Sequence, residues 1–202
     1  MIKSIWKKIW YFIWEDDSVL SWLVNVVIAF IFIKFIVYPV LAFAFSTPYP
    51  IVAVVSTSME HDGGFDDWWS SQANCPNSCS QLEFYGQNNI SKDIFQTFIF
   101  KNGFNKGDIM FLHGSKPENI VIGDVIVFNG YKSDPIIHRV IKKWKKDEIF
   151  HYTTKGDHNK AIHMGVGEND ITEDRIIGKA FIRLPFFGWI KILFVKFLSF
   201  IG

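Results

Sequence analysis

A chain of 202 residues holds one ordinary domain plus an anchoring segment, and its 49% hydrophobic and 17% aromatic content exceeds that of a typical soluble domain. The formal net charge of +1 leaves no basic footprint, so nucleic acid is not an expected partner. Two cysteines, Cys75 and Cys79, exclude a disulfide framework and permit one short bridge in an oxidising compartment.

The excess apolar residues gather between Val19 and Phe45, interrupted by Asn25, Lys34 and Pro39. Such a run is long enough as a helix to cross a hydrocarbon core of about 30 Å. A central lysine costs about 2.5 to 3.5 kcal/mol on insertion scales, whereas each apolar Leu, Ile, Phe or Val returns about 0.3 to 0.6 kcal/mol. With 15 of these between Leu23 and Phe43, insertion is favoured. Lys3, Lys7 and Lys8 precede the run and no Lys or Arg follows it before Lys92, which puts the N-terminus on the cytoplasmic side. Residues 1–18 are then a cytoplasmic segment, 19–45 a single-pass transmembrane anchor, and the remainder extracytoplasmic. Ala42-Phe43-Ala44 also reads like the small-x-small cleavage site of a removable secretory peptide, but cleavable apolar stretches usually run only about 7 to 15 residues.

Beyond Pro50 the continuous apolar run gives way to short segments rich in Val, Ile and Phe, separated by Gly, Asp, Asn and Pro. Strands are predicted near Ile51 to Val55, Ile109 to Leu112, Val125 to Phe128, Ile136 to Val140, Ile149 to Thr153 and Ile176 to Ile182, within a mainly β domain over 46–183. The Gly107-Asp108 and Gly123-Asp124 pairs supply turns ahead of two of them.

A polar, aromatic insert occupies 61–105 and carries Trp68-Trp69, both cysteines and Gln87-Asn88-Asn89. Its tryptophans suit either the membrane surface or local core packing, and the Cys75–Cys79 pairing stays open. Residues 184–202 form an apolar stretch whose Lys191, Lys196 and Ser199 share one helical arc, the pattern of a short amphipathic helix lying in the membrane interface rather than a second crossing.

Chemistry concentrates in four ordered places. Ser56-Thr57-Ser58-Met59 follows the first strand. Next come the two Gly-Asp strand segments, then Ile136-Ile137-His138-Arg139-Val140-Ile141, then Thr154-Lys155-Gly156-Asp157-His158-Asn159. Period-two alternation puts His138 on the strand face of Ile136 and Val140, with Arg139 opposite.

The order and spacing of these boxes resemble the signal peptidase I family, over the anchor and up to about Arg183 but not over the insert. Bacterial members usually carry lysine at the base position, whereas archaeal and endoplasmic-reticulum members carry histidine, and His138 stands there. The resemblance implies a signal-peptidase-like β domain, a partly open antiparallel barrel or sandwich, and a membrane-bound serine endopeptidase without a cofactor. Its substrates would be signal peptides of translocated preproteins, cut after a small-x-small site. The lipid bilayer and the protein-translocation channel would be partners, and the location a cell membrane or the endoplasmic-reticulum membrane.

On the same resemblance Ser58 is the nucleophile and His138 the general base, with the Ser58 N–H and the Ser56 hydroxyl as oxyanion donors. Asp157 would orient the imidazole, since a carboxylate on the second ring nitrogen fixes the tautomer. Histidine-type relatives often carry a further aspartate six residues after the Gly-Asp pair, but His163 occupies that position here, so Asp170 is the second choice. His158 and His163 lack partners at metal-ligand spacing, and no metal site is expected. Three rival readings remain. One keeps the fold with Lys155 as base, one is a non-catalytic anchored peptide-binding module, and one is a structural subunit whose tryptophan-rich insert binds a partner.

Overall fold

The computed structural model describes residues 2–131 and 134–201, with the side chains at 2, 3, 191, 195 and 198–201 left out. Lys3, Lys191 and Ser199, whose side chains entered the orientation and interfacial-helix arguments, therefore lie outside the described side chains. The chain divides into two units, Met1–Ala44 and Phe45–Gly202.

The first unit is helical: α1 (Ile2–Trp14), α2 (Val19–Phe32), a π-helical turn (Ile33–Val37) and α3 (Tyr38–Ala44). Ser18 starts α2 by accepting the Ser21 N–H at 3.2 Å, a standard cap for an orphan donor. The last carbonyls of α1 have no intrahelical donors. Asn25 Nδ2 donates to the Ile13 carbonyl at 2.8 Å, and the Ser21 hydroxyl donates to that of Phe12. The asparagine that interrupts the apolar run thus closes the end of the preceding helix.

Pro39 lacks an N–H and crowds the carbonyl one turn earlier, and the π turn ends two residues before it, at Val37, where the hydrogen-bond ladder must adjust. Val19–Ala44 forms 26 continuous helical residues. At 1.5 Å each this is about 39 Å, long and apolar enough to cross a membrane. Trp22, Phe30 and Phe35 are among the large side chains it leaves exposed.

The second unit begins with β1 (Ile51–Ala53), α4 (Phe65–Trp69), β2 (Gln72–Cys75), β3 (Asn77–Ser80), α5 (Gln81–Gln87) and α6 (Lys92–Gln96). Then come β4 (Ile109–His113), β5 (Val125–Asn129), β6 (Pro135–Lys146) and β7 (Ile149–Lys155). It closes with β8 (Ile171–Thr172), β9 (Ile176–Leu184) and α7 (Trp189–Ile201). Seven strands form one open antiparallel sheet in the order β1-β4-β9-β5-β6-β7-β8, with β2 and β3 as a separate hairpin. All six strands expected from the Val/Ile/Phe runs are present. β6 runs longer than expected because it pairs with β7 beyond a bulge between Val140 and Lys142.

The two Gly-Asp pairs make the same turn. Gly107 and Gly123 have φ of 91° and 96°, a left-handed conformation that favours glycine. Asp108 accepts the Asn105 N–H and Asp124 accepts the Val121 N–H, each at 2.8 Å.

One core cluster joins Val54 and Met59 to Met110, Leu112, Val125 and Val127. A second lies around Ile126, Phe128 and Val140. The third belongs largely to the insert: Trp68, Trp69, Phe84, Tyr85 and Phe95 pack together against Ile141. Trp68 and Trp69 are buried, which decides for core packing over the membrane surface. Cys75 and Cys79 are disulfide-bonded with Cα atoms 5.9 Å apart, closing the β2–β3 hairpin.

Candidate active site

Ser58 lies five residues beyond β1, on a turn held down by Met59, which is 1% exposed in the first core cluster. His138 sits mid-strand in β6, opposite Ile126 of β5, and is buried. Across this 80-residue separation Ser58 Oγ and His138 Nε2 meet at 2.8 Å. The other ring nitrogen, Nδ1, is hydrogen-bonded to Glu168 Oε1. A carboxylate can only accept, so Nδ1 carries the proton and Nε2 is left to accept from the Ser58 hydroxyl.

Glu168 is fully buried and held at both ends. Its Oε2 accepts the His163 N–H at 2.6 Å, its Oε1 accepts the Thr154 hydroxyl at 3.3 Å, and its carbonyl accepts the Thr154 N–H at 3.0 Å. Gly167 just before it has φ of 79°, so the chain reverses there and delivers the carboxylate under the imidazole.

Asp157 is placed elsewhere. Among the described residues its carboxylate bonds Arg139, at 2.7 to 3.2 Å through Nε and Nη2, Tyr85 Oη at 3.2 Å and His61 Nε2 at 3.1 Å, and not His138. Burial alone would raise its pKa, but the Arg139 guanidinium and the His61 hydrogen bond outweigh burial and hold the carboxyl well below the usual range. Arg139, also fully buried, spends its remaining donors on the carbonyls of Ile99, Gly123 and Phe100 at 2.8 to 3.0 Å. Asp170 lies at the sheet edge on His151 Nδ1, 2.6 Å away and half exposed.

Ser56 Oγ lies 3.0 Å from Ser58 Oγ and is exposed. No hydrogen bond among the described residues uses the Ser58 N–H. Lys155 is fully buried, and burial brings its amine down to about 7 against the opposing pull of Asp157 and Glu168. Its Nζ donates to the carbonyls of Gly156 and Asp157 at 3.1 and 3.2 Å and to Gln81 Oε1 at 2.9 Å, not to Ser58. His158 pairs loosely with Asp62 at 3.6 Å, and His163 is exposed.

No family model matches the chain. Among curated proteins it is 35% identical over 95 residues to "Signal peptidase complex catalytic subunit SEC11C" of Homo sapiens and of Mus musculus, covering 45% of this chain and 50% of theirs. It is 32% identical over 98 residues to the sec11 catalytic subunit of Neurospora crassa, covering 45% and 55%. Over about 45% of its length the chain is similar to signal peptidase catalytic subunits. It spans about half the length of the curated relatives it matches.

The open antiparallel sheet is consistent with a signal-peptidase-like β domain, and the N-terminal unit carries one helix long and apolar enough to cross a membrane. The structure brings the expected Ser58, His138 and Ser56 together and sets beside them Glu168, His61 and a buried Arg139, none of which the sequence marked as site residues. Glu168 belongs to none of the four boxes. The signals present were a glutamate after a glycine for Glu168 and strand alternation opposite His138 for Arg139, neither of which identifies a partner.

Proposed function

We propose that the chain is a membrane-bound serine endopeptidase that removes signal peptides from translocated preproteins after a small-x-small site. The observation that carries this reading is the 2.8 Å contact between Ser58 Oγ and His138 Nε2, backed by a buried carboxylate.

A serine hydroxyl is a weak nucleophile near neutral pH and needs a base in contact. His138 Nε2 takes the Ser58 proton as Oγ attacks the scissile carbonyl. Glu168 stabilises the resulting imidazolium without itself being protonated. The oxyanion forms against the Ser58 N–H and the Ser56 hydroxyl, preorganised donors of a kind worth about 10² to 10³ in kcat each. His138 then returns the proton to the leaving amine, and water repeats the cycle on the acyl-enzyme.

β1 is an edge strand whose chain continues directly to Ser58, which supports binding of the substrate as an added extended strand. The long apolar helix supports a single-pass anchor with the N-terminus in the cytoplasm and the β domain outside, in a cell membrane or the endoplasmic-reticulum membrane. The relatives are named as subunits of a complex, so companion subunits belong to the proposal, as do the bilayer and the translocation channel.

Incubation of the detergent-solubilised chain with a preprotein bearing Ala-x-Ala, followed by N-terminal sequencing of the product, tests the reading. One cut after the second alanine, absent in Ser58→Ala, is expected. Intact preprotein bound equally by both chains would favour the non-catalytic module.

A further inference from the structure

We infer that the insert is a built-in clamp whose residues Gln81 and Tyr85 position the 155–160 loop, and through it the Ser58–His138 pair. This inference rests on the endopeptidase reading and assigns its site a positioning element that none of the four boxes contains.

The loop presses on both reacting groups. His158 donates its N–H to the Ser58 carbonyl at 2.9 Å, and the Asp157 N–H reaches Met59 Sδ at 3.4 Å. At Gly156 a side-chain carbon would stand 2.7 Å from the Ser58 carbonyl oxygen and 2.8 Å from His138 Nε2, so the backbone there fills the space behind both. A shift of the loop must therefore move the nucleophile's turn, the imidazole, or both.

The insert holds that loop along nearly its whole length. Trp68 Nε1 donates to the Asp157 carbonyl at 2.9 Å, and Tyr85 Oη donates to Asp157 Oδ1 at 3.2 Å. Gln81, fully buried, accepts from Lys155 Nζ at 2.9 Å and donates to the Asn159 carbonyl at 3.4 Å. The Asn74 N–H donates to the Lys160 carbonyl at 2.8 Å, and Lys160 Nζ returns a bond to Gln72 Oε1 at 2.6 Å. Several of these groups are buried on both sides, where an unmet partner is costly and a met one fixes geometry.

The insert is itself rigid enough for the task. Its rings interlock, with Trp69 stacked on Tyr85 at 5.5 Å and His61 stacked on Trp68 at 3.7 Å, and its hairpin is cross-linked by Cys75–Cys79. A polar loop with few apolar side chains of its own is thereby pinned to an aromatic core rather than left to solvent.

Tyr85→Phe and Gln81→Met remove the polar contacts with little change of volume, and are to be measured singly and together in the full chain. The readouts are kcat and KM on an Ala-x-Ala preprotein, hydrogen exchange of the 155–160 amides, and the melting temperature. The double variant is expected to lose about 10- to 100-fold in kcat with KM within about twofold, since small misplacements of reacting groups carry penalties of that order. Its loop amides should exchange faster. Gln81→Glu, which keeps the acceptor for Lys155 but sets a carboxylate oxygen against the Asn159 and Gln72 carbonyls, should recover only part of the kcat lost by Gln81→Met. Unchanged kcat in every variant, with lowered melting temperature or faster exchange, would make the insert a packing element only and overturn the inference. Absence of Ser58-dependent cleavage by the wild type would instead remove the endopeptidase reading, and the clamp with it.

Discussion

Glu168 reaches back thirty residues to hydrogen-bond Nδ1 of His138, and the carboxylate is fully buried where it does so. This contact fixes which nitrogen of the imidazole faces Ser58. Asp157, in the Gly-Asp box, is committed to Arg139, and the two acids have separate tasks.

Glu168→Gln should keep the fold, because the amide can still accept from Thr154 or His163, yet it withdraws the charge that stabilises the imidazolium. The expected effect is a fall in kcat of up to about 10⁴ with little change in KM, the order of the loss when a triad acid is neutralised. Asp170→Asn, altered at the sheet edge beside His151, should leave kcat unchanged. Steady-state kinetics of the two variants check this, and the reverse pattern would return the orienting role to Asp170.

Asp157→Asn should act chiefly on stability. Arg139 is fully buried, and removing the charge of a buried partner costs about 3 to 5 kcal/mol. Since the folded-state pKa of Asp157 is depressed, the wild type holds this advantage above the ordinary carboxylate value of 3.8 and loses it as pH falls below that. Lys155 works in the opposite sense. Its folded-state pKa is lowered to about 7 from 10.5, so between those values the unfolded chain binds more protons and stability rises with pH. Denaturant unfolding at pH 3, 7 and 9 should show the Asp157→Asn deficit shrinking in acid, and wild type gaining on Lys155→Met in base. A deficit independent of pH would contradict the ion-pair assignment.

The outward placement of the β domain has its own reporter. Asn89 is exposed on a left-handed turn with φ of 60°, and Ile90-Ser91 completes an Asn-x-Ser acceptor triplet for N-linked glycan. Translated into glycosylating microsomes, the chain should gain one glycan that endoglycosidase removes and Asn89→Gln abolishes. An unmodified chain whose β domain is digested by added protease would contradict the proposed orientation.

The strands were legible because each signal is local, whereas the Ser58 and His138 boxes were legible only through the order and spacing in which they resemble the signal peptidase I family. Val, Ile and Phe runs bracketed by Gly-Asp turns define strands without reference to anything distant. Glu168 was not legible because its role depends on where Gly167 turns the chain, a tertiary fact with no periodicity behind it. The insert was opaque for a similar reason. Trp68, Gln81 and Tyr85 look like an isolated polar and aromatic segment until the fold sets them on the 155–160 loop. α1 was overlooked despite a readable signal, since Trp6, Trp10 and Trp14 recur every four residues, the spacing of one helical face.

The most direct measurement is the cleavage rate of one Ala-x-Ala preprotein by wild type, Ser58→Ala, His138→Ala and Lys155→Met, with folding of each confirmed by its melting transition. The Ser58 and His138 variants should each lose at least about 10³-fold in kcat, by analogy with the removal of either member of a nucleophile–base pair, while Lys155→Met keeps measurable turnover. Turnover by folded Ser58→Ala or His138→Ala at the wild-type rate would contradict the Ser58–His138 mechanism.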